Sequence, residues 1–248
     1  MRLIFTSLRA LALVAALFAM PASAQEITPA QRSQIESIIR SYLVEHPEVL
    51  LESMRALEAR QQAAEEANAK NAVANLKREL FDDPGSPVDG NAKGDVTIVE
   101  FFDFRCPVCK KTHPVLSEIV KSDGNIRHIY KQWPILGPES EYAARIALAA
   151  RYQGKYLAFH EALIGAETKL TNEEVMRIAA KVGLDRQRLL KDIDRPEIQQ
   201  DLMKSFVLAN ELKINGTPSY VIGDQLVKGA RDAANFRAII VRPVVTGE

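Results

Sequence analysis

Residues 96–114 read VTIVEFFDFRCPVCKKTHP. The run Val96–Phe102 is β-branched and aromatic apart from Glu100, which predicts a buried strand. Asp103-Phe104-Arg105 turns the corner, and Cys106-Pro107-Val108-Cys109 opens a helix that continues through Leu116, Ile119 and Val120. Pro107 suits a first helical turn, where its missing N–H is one the helix leaves unpaired anyway.

Cys106 therefore falls at a helix N-terminus, where free amides and the helix dipole favour a thiolate. Cys109 lies one turn further in and is expected to be less exposed. That divides the work: Cys106 exchanges with a partner's sulfur, and Cys109 resolves the mixed disulfide. These are the chain's only 2 cysteines, so a disulfide-rich scaffold is excluded. A structural bridge over so short a loop gains little chain entropy. Structural zinc wants four ligands, and His113 supplies at most a third, so no metal site is expected. Cu(I) on two thiolates is the one metal alternative that the pair leaves open.

Working towards the N-terminus, residues 82–95 hold two prolines, three glycines and several aspartates, and read as a linker. Residues 25–81 are helix-compatible. Ile35, Ile38, Ile39, Tyr42 and Leu43 keep helical spacing, and Val49, Leu50, Met54 and Leu57 make a second stripe after Pro47. An alanine-rich polar stretch follows, with high helix propensity and little to bury. A helix from Pro47 to Leu80 would be about 50 Å long. A small apolar stripe on a polar stalk needs a partner, so 25–81 reads as an oligomerisation element rather than a hairpin folded onto the main domain. Residues 1–24 have a positive start, an apolar run too short for the roughly 20 residues of a bilayer span, and Ala22-Ser23-Ala24 as a cleavage site. They read as a Sec-type signal peptide, which sends the chain to the periplasm, where disulfides persist. Lys+Arg and Asp+Glu are equal at 32 each, so no basic excess points to nucleic acid.

Towards the C-terminus, 126–132 reads as a strand that Trp133 to Pro138 breaks. Residues 139–212 are helical in five stretches: 142–152, 156–164, 172–182, 185–193 and 196–212. Gly154, Gly165 and Gly183 punctuate them. Residues 219–222 and 226–227 form a strand pair around Gly223-Asp224, and 232–241 closes the domain as a helix. Ahead of the pair stands Ile214-Asn215-Gly216-Thr217-Pro218-Ser219-Tyr220.

Two motifs carry a family resemblance. VEFFDFRCPVCKKTHP resembles the active-site segment of DsbA-like thiol–disulfide oxidoreductases, and the Thr217-Pro218 loop resembles the one that carries their cis-proline. The resemblance implies an α/β thioredoxin fold over 96–248 with an inserted helical subdomain at about 139–212, preceded by the N-terminal helical extension. It implies Cys106 and Cys109 as the catalytic pair, Pro107 and Val108 as the tuning dipeptide, and Thr217 and Pro218 as substrate-binding. Glu100, six residues before Cys106, falls where the family has a buried acid, and would pass a proton to or from Cys109.

The helical extension is similar to that of the ScsC (suppressor of copper sensitivity) group, some of whose members are trimeric isomerases. That likeness implies a homo-oligomer, thiol- or disulfide-bearing periplasmic protein substrates, and an ScsB-like membrane electron donor, with no dissociable cofactor. Thr217 resembles the isomerase pattern more than the oxidase one. A dithiol oxidase and a Cu(I)-binding copper-tolerance chaperone are the alternatives. His113, Lys110 and Lys111 are expected on a solvated face, Trp133 in the core, and His46, His128 and His160 at surface or core without partners.

Overall fold

The computed structural model describes residues 27–240. The signal-peptide reading of 1–24 and the last residues of the closing helix and domain, 241–248, lie outside the described residues. The chain divides into two units, at Arg60 and Gln61.

In the first unit, α1 (Pro29–Glu45) starts at a capping box. Thr28 Oγ1 accepts from Gln31 N, the Gln31 side chain accepts from Thr28 N, and Pro29 occupies the first turn. His46 and Pro47 separate α1 from α2 (Glu48–Asn75), which runs on into the second unit. No residue of α1 is buried. Ile35, Ile38, Ile39 and Tyr42 are exposed on it, as are Leu50, Leu51, Met54 and Leu57 on α2. Both sets keep helical spacing, so each marks one uncovered apolar face.

In the second unit, α3 (Lys77–Phe81) follows α2 after a break at Leu76, where one continuous helix was expected. Five strands then form a mixed sheet in the order β1-β3-β2-β4-β5: β1 (Val88–Gly90), β2 (Val96–Phe102), β3 (Ile126–Gln132), β4 (Ser219–Ile222) and β5 (Gln225–Lys228). Only the β2–β3 pair is parallel, and α4 (Pro107–Asp123) makes the crossover that such a pair needs. The insertion between β3 and β4 is α5 (Pro138–Ala149), a 3-10 turn (Ala150–Gln153), α6 (Tyr156–Ile164), α7 (Asn172–Lys181), α8 (Arg186–Asp192) and α9 (Pro196–Glu211). α10 (Ala233–Ile239) closes the unit.

The two sides of β2 show why it is so apolar. Val96 and Ile98 pack with Leu116, Ile119 and Val120 of α4 and Phe236 of α10. Val99 and Phe101 face the other way, onto Leu208, Ala209 and Leu212. A strand covered on both faces reads as a continuous hydrophobic run.

Two boundaries differ from the reading of the sequence. Val73 and Leu80 lie in the same cluster as Val99 and Phe101 and are 2% and 0% exposed, so the alanine-rich stretch ends inside the domain core. The spacing Val73, Leu76, Leu80 is helical, but alanine and charge around it hide the stripe. Within 82–95, read as a linker, β1 pairs antiparallel with β3, Val88 opposite Ile129. Gly90 is needed there for close approach rather than flexibility. Its φ is +70°, and a Cβ would meet Ile126 O at 2.5 Å. Lys131 and Lys204 hold Asp83 at 2.8 and 2.9 Å and pin the same segment.

Candidate active site

The site is built where β2 hands over to α4. Asp103 ends the strand and is buried. Its Oδ1 accepts from Arg105 N at 2.7 Å, and its Oδ2 accepts from Ile135 N at 2.9 Å and Leu136 N at 3.0 Å. Cys106 N donates to Asp103 O at 3.0 Å. The turn that presents Cys106 is thus tied to the loop after β3. Asp103→Ala leaves three amide donors without an acceptor and is expected to cost roughly 3 kcal/mol. Chemical denaturation checks this, and Asp103→Asn should recover part of the loss.

Cys106 is the N-cap of α4, and its Sγ accepts from Cys109 N at 3.3 Å. The same sulfur lies 3.3 Å from the carbonyl oxygen of Thr217, and the Thr217–Pro218 bond is cis. The two motifs, over a hundred residues apart in sequence, therefore meet at one sulfur. Cys106 is 5% exposed and Cys109 0%, the order expected from their places on the helix. Pro107 and Val108 are exposed between them.

The two thiols are driven apart in acidity. The Cys106 pKa is lowered to about 6, chiefly by the hydrogen bond from the Cys109 thiol, with further help from Thr217 and from the amides of Cys109 and Val108, against the opposing effect of burial. The Cys109 thiol is pushed far up by that same hydrogen bond, by burial and by the negative charge of Glu100. At neutral pH the pair is one thiolate and one thiol.

Glu100 is 2% exposed on β2, opposite Tyr130 on one neighbouring strand and Tyr220 on the other. Its Oε2 lies 3.0 Å from Nε2 of His128. The directions are poor for a hydrogen bond, so both atoms count as unpaired despite that distance. His128 thus has an acidic neighbour that its sequence context did not reveal.

His113 is buried rather than solvated, because α6 covers that face of α4, and its Nε2 lies 3.1 Å from Glu161 Oε1. Lys110 is also drawn in. Its Nζ donates to Ala166 O at 2.5 Å, just past the last turn of α6, and burial lowers its pKa. Lys111 is exposed as expected. Trp133 is core, with its ring edge-on to Phe206, in a different cluster from the cysteines. Asp103 is the residue that sequence reasoning missed. Its signal was an Asx turn, an aspartate two residues before the amide it accepts. Among the described residues, no group of three or more His, Cys, Asp or Glu is placed to hold a metal ion, and no helix is long and apolar enough to cross a membrane.

Residues 97–241 match the family described as DSBA-like thioredoxin domain, and 31–64 match the copper resistance protein ScsC N-terminal domain. A thioredoxin-like oxidoreductase from Silicibacter pomeroyi DSS-3 is 47% identical, covering 66% of this chain and 94% of that one, with a TM-score of 0.65. A linker-deletion form of Proteus mirabilis ScsC is 26% identical over 88% of this chain and 97% of its own, TM-score 0.67. Salmonella enterica Typhimurium BcfH is 26% identical over 85% and 95%, TM-score 0.72. Among curated proteins, the Na(+)/H(+) antiporter NhaA 3 of Salinispora tropica is 26% identical over 156 residues, 62% of this chain. The chain spans 24% of that antiporter, about a quarter of the length of the first curated relatives it matches. Taken with the fold and the cysteine–proline geometry, these likenesses make the chain a member of the DSBA-like thioredoxin family, carrying an ScsC N-terminal domain ahead of the thioredoxin domain.

Proposed function

We propose that the chain is a periplasmic thiol–disulfide oxidoreductase that works as a disulfide isomerase on misbridged proteins. The observation that carries this is the split pair at the head of α4: a Cys106 sulfur with its pKa lowered to about 6, beside a Cys109 thiol held protonated. An attacking thiol whose pKa lies near ambient pH combines thiolate population with nucleophilicity. The Cys106 thiolate attacks a substrate disulfide, one substrate sulfur leaves, and a mixed disulfide forms. A second substrate thiolate then displaces Cys106, giving the reshuffled bridge. Cys109 serves as the escape: it attacks Cys106 and releases a reduced substrate.

Glu100 takes the Cys109 proton in that step. The Thr217 main chain and Pro218 bind the extended substrate beside Cys106, a role supported by the 3.3 Å approach of the Thr217 carbonyl. Pro107 and Val108 set the thiolate's stability. An isomerase must be kept reduced, so the reading includes an ScsB-like membrane donor and no dissociable cofactor.

Residues 1–24 act as the cleaved signal, and 25–81 as the arm of a homo-oligomer, trimeric by likeness to the ScsC group. Uncovered apolar faces on α1 and α2 support the arm. The test is a pair of assays on the mature chain. Recovery of a scrambled multi-disulfide substrate should be efficient, while oxidation of the same substrate in reduced form should be slow. The reverse ranking identifies an oxidase instead.

A further inference from the structure

We propose that His128, His160 and His113 form an internal proton path from Glu100, beneath Cys109, to the surface carboxylate Glu161. The inference rests on the reading of Glu100 as the base for Cys109, and extends it to three histidines that the exchange chemistry leaves unused.

Three of the chain's 4 histidines are buried together on the side of the sheet that carries Glu100. His128 Nε2 is 3.0 Å from Glu100 Oε2. The His128 ring lies 4.3 Å from the Tyr130 ring, and Tyr130 lies 4.2 Å from His160. His160 is 5.2 Å from His113, whose Nε2 reaches Glu161 at 3.1 Å. Glu161 is the solvent end, with a side chain 46% exposed against 7% for His113.

The hydrogen bonds suit one tautomer of His160. Gln132 Nε2 donates to Tyr156 Oη at 3.2 Å, which leaves the Tyr156 proton available to His160 Nδ1, 3.4 Å away, when that nitrogen is the acceptor. His160 then carries its own proton on Nε2, and that buried N–H has no acceptor. Glu100 Oε2, both ring nitrogens of His128 and Gln132 Oε1 are likewise buried and unpaired. Native interiors rarely leave such atoms unpaired, and their usual partner is ordered water with two to four polar contacts. Orphaned donors and acceptors strung along one line of side chains are what a water-bridged path requires.

Charge is distributed to suit. His160 faces His113 from α4, His128 and Tyr130 from β3, and Tyr156 from its own helix; burial and the two histidines keep it neutral, able to accept on one nitrogen and donate from the other. Burial depresses His113 most, but its bond to Glu161 and the charges of Glu100 and Glu161 together outweigh this and lift it, with Lys121 opposing. At the inner end, the Glu100 charge is felt by Tyr130, Tyr156, Tyr220 and Cys109. Asp89 and Arg151 act on Tyr130 and Tyr156 respectively.

The step balances without a further reactant. The Cys109 S–H proton goes to the Glu100 carboxylate, Cys109 sulfur bonds to Cys106 sulfur, the Cys106–substrate S–S bond breaks, and the substrate leaves as a thiolate. Glu100 must then shed its proton, and the histidines carry it out to Glu161. Reduction of the pair runs the proton inward.

The experiment follows resolution of a mixed disulfide between Cys106 and a chromophoric thiol, in the full mature chain, across pH and in H2O and D2O. Glu100→Gln should slow resolution about a hundredfold, the usual scale of a lost general base. His160→Phe, placed among the rings of Phe102, Phe104 and Tyr130, should slow it roughly tenfold, with an altered pH profile and solvent isotope effect. His113→Gln should act alike and serves if His160→Phe fails to fold. Attack by Cys106 on the chromophoric disulfide should be unchanged in both. Wild-type resolution rates and isotope effects in both histidine variants overturn the path, even where Glu100→Gln is slow. A wild-type rate in Glu100→Gln overturns the base beneath it.

Discussion

Cys106→Ser should abolish exchange with substrate disulfides, a loss on the order of a thousandfold or more, whereas Cys109→Ser should keep the first attack and accumulate mixed disulfide. The difference follows from which sulfur is ionised. Cys106 is a thiolate above about pH 6, so its attack should rise with pH through that point and level off. Cys109 never leaves the protonated form on its own and acts only against a disulfide already formed on its neighbour. A serine hydroxyl cannot supply the first role, and at position 109 it cannot supply the second. Gel shifts under non-reducing conditions separate the two variants directly.

Cys109→Ala adds a sharper reading, because the Cys109 thiol is the largest single cause of the low Cys106 pKa. Its removal should move the midpoint of thiolate ultraviolet absorbance upward from about 6, towards the ordinary 9.0. Stability of the reduced form has the sign of a depressed acid. The contribution is present above the unfolded value of 9.0 and is lost as pH falls through about 6. An absorbance midpoint that stays at 6 in Cys109→Ala would refute this account of the pair.

What the sequence disclosed and what it withheld follow one physical line. β2 and β3 were legible to the residue, β2 as a β-branched and aromatic run broken only at Glu100, β3 as Ile126, Ile129 and Tyr130 set between Gly124-Asn125 and Trp133-Pro134. The cysteine pair and the Thr-Pro loop were legible because helix-terminal chemistry and cis-proline are local properties. β1 was not. Val88-Asp89-Gly90 has no strand character of its own, and its pairing is imposed by β3 some forty residues later. The buried face of α4 at His113 depends on α6, and the three amides of Asp103 include two from the loop after β3. In each case the deciding partner lies far along the chain, where periodicity carries no information.

The same distinction decides where the arm can be cut. Deleting residues 25–60 should leave a folded monomer, whereas deleting 25–81 should leave an unstable one. The shorter deletion takes the exposed apolar faces of α1 and α2: Ile38 is 68% exposed, Met54 58% and Leu57 56%. Exposed apolar faces of this extent on a helical arm are what self-association would bury. The longer deletion also removes Val73 and Leu80, which pack under Val99 and Phe101 on the sheet face opposite Glu100. Fully burying a side chain of this kind is worth about 1.5–3 kcal/mol, so the pair contributes roughly 3–6 kcal/mol. That is a large share of the 5–15 kcal/mol typical of a whole domain.

Light scattering should therefore give a falling subunit count for both truncations, and chemical denaturation should set them apart. Isomerisation is expected to fall with the subunit count in the 25–60 deletion, while dithiol oxidation, which needs one Cys106 and one Cys109, persists. An undiminished subunit count after either deletion would remove the arm from the assembly. Equal stability of the two truncations would mean that Val73 and Leu80 do not belong to the core they line.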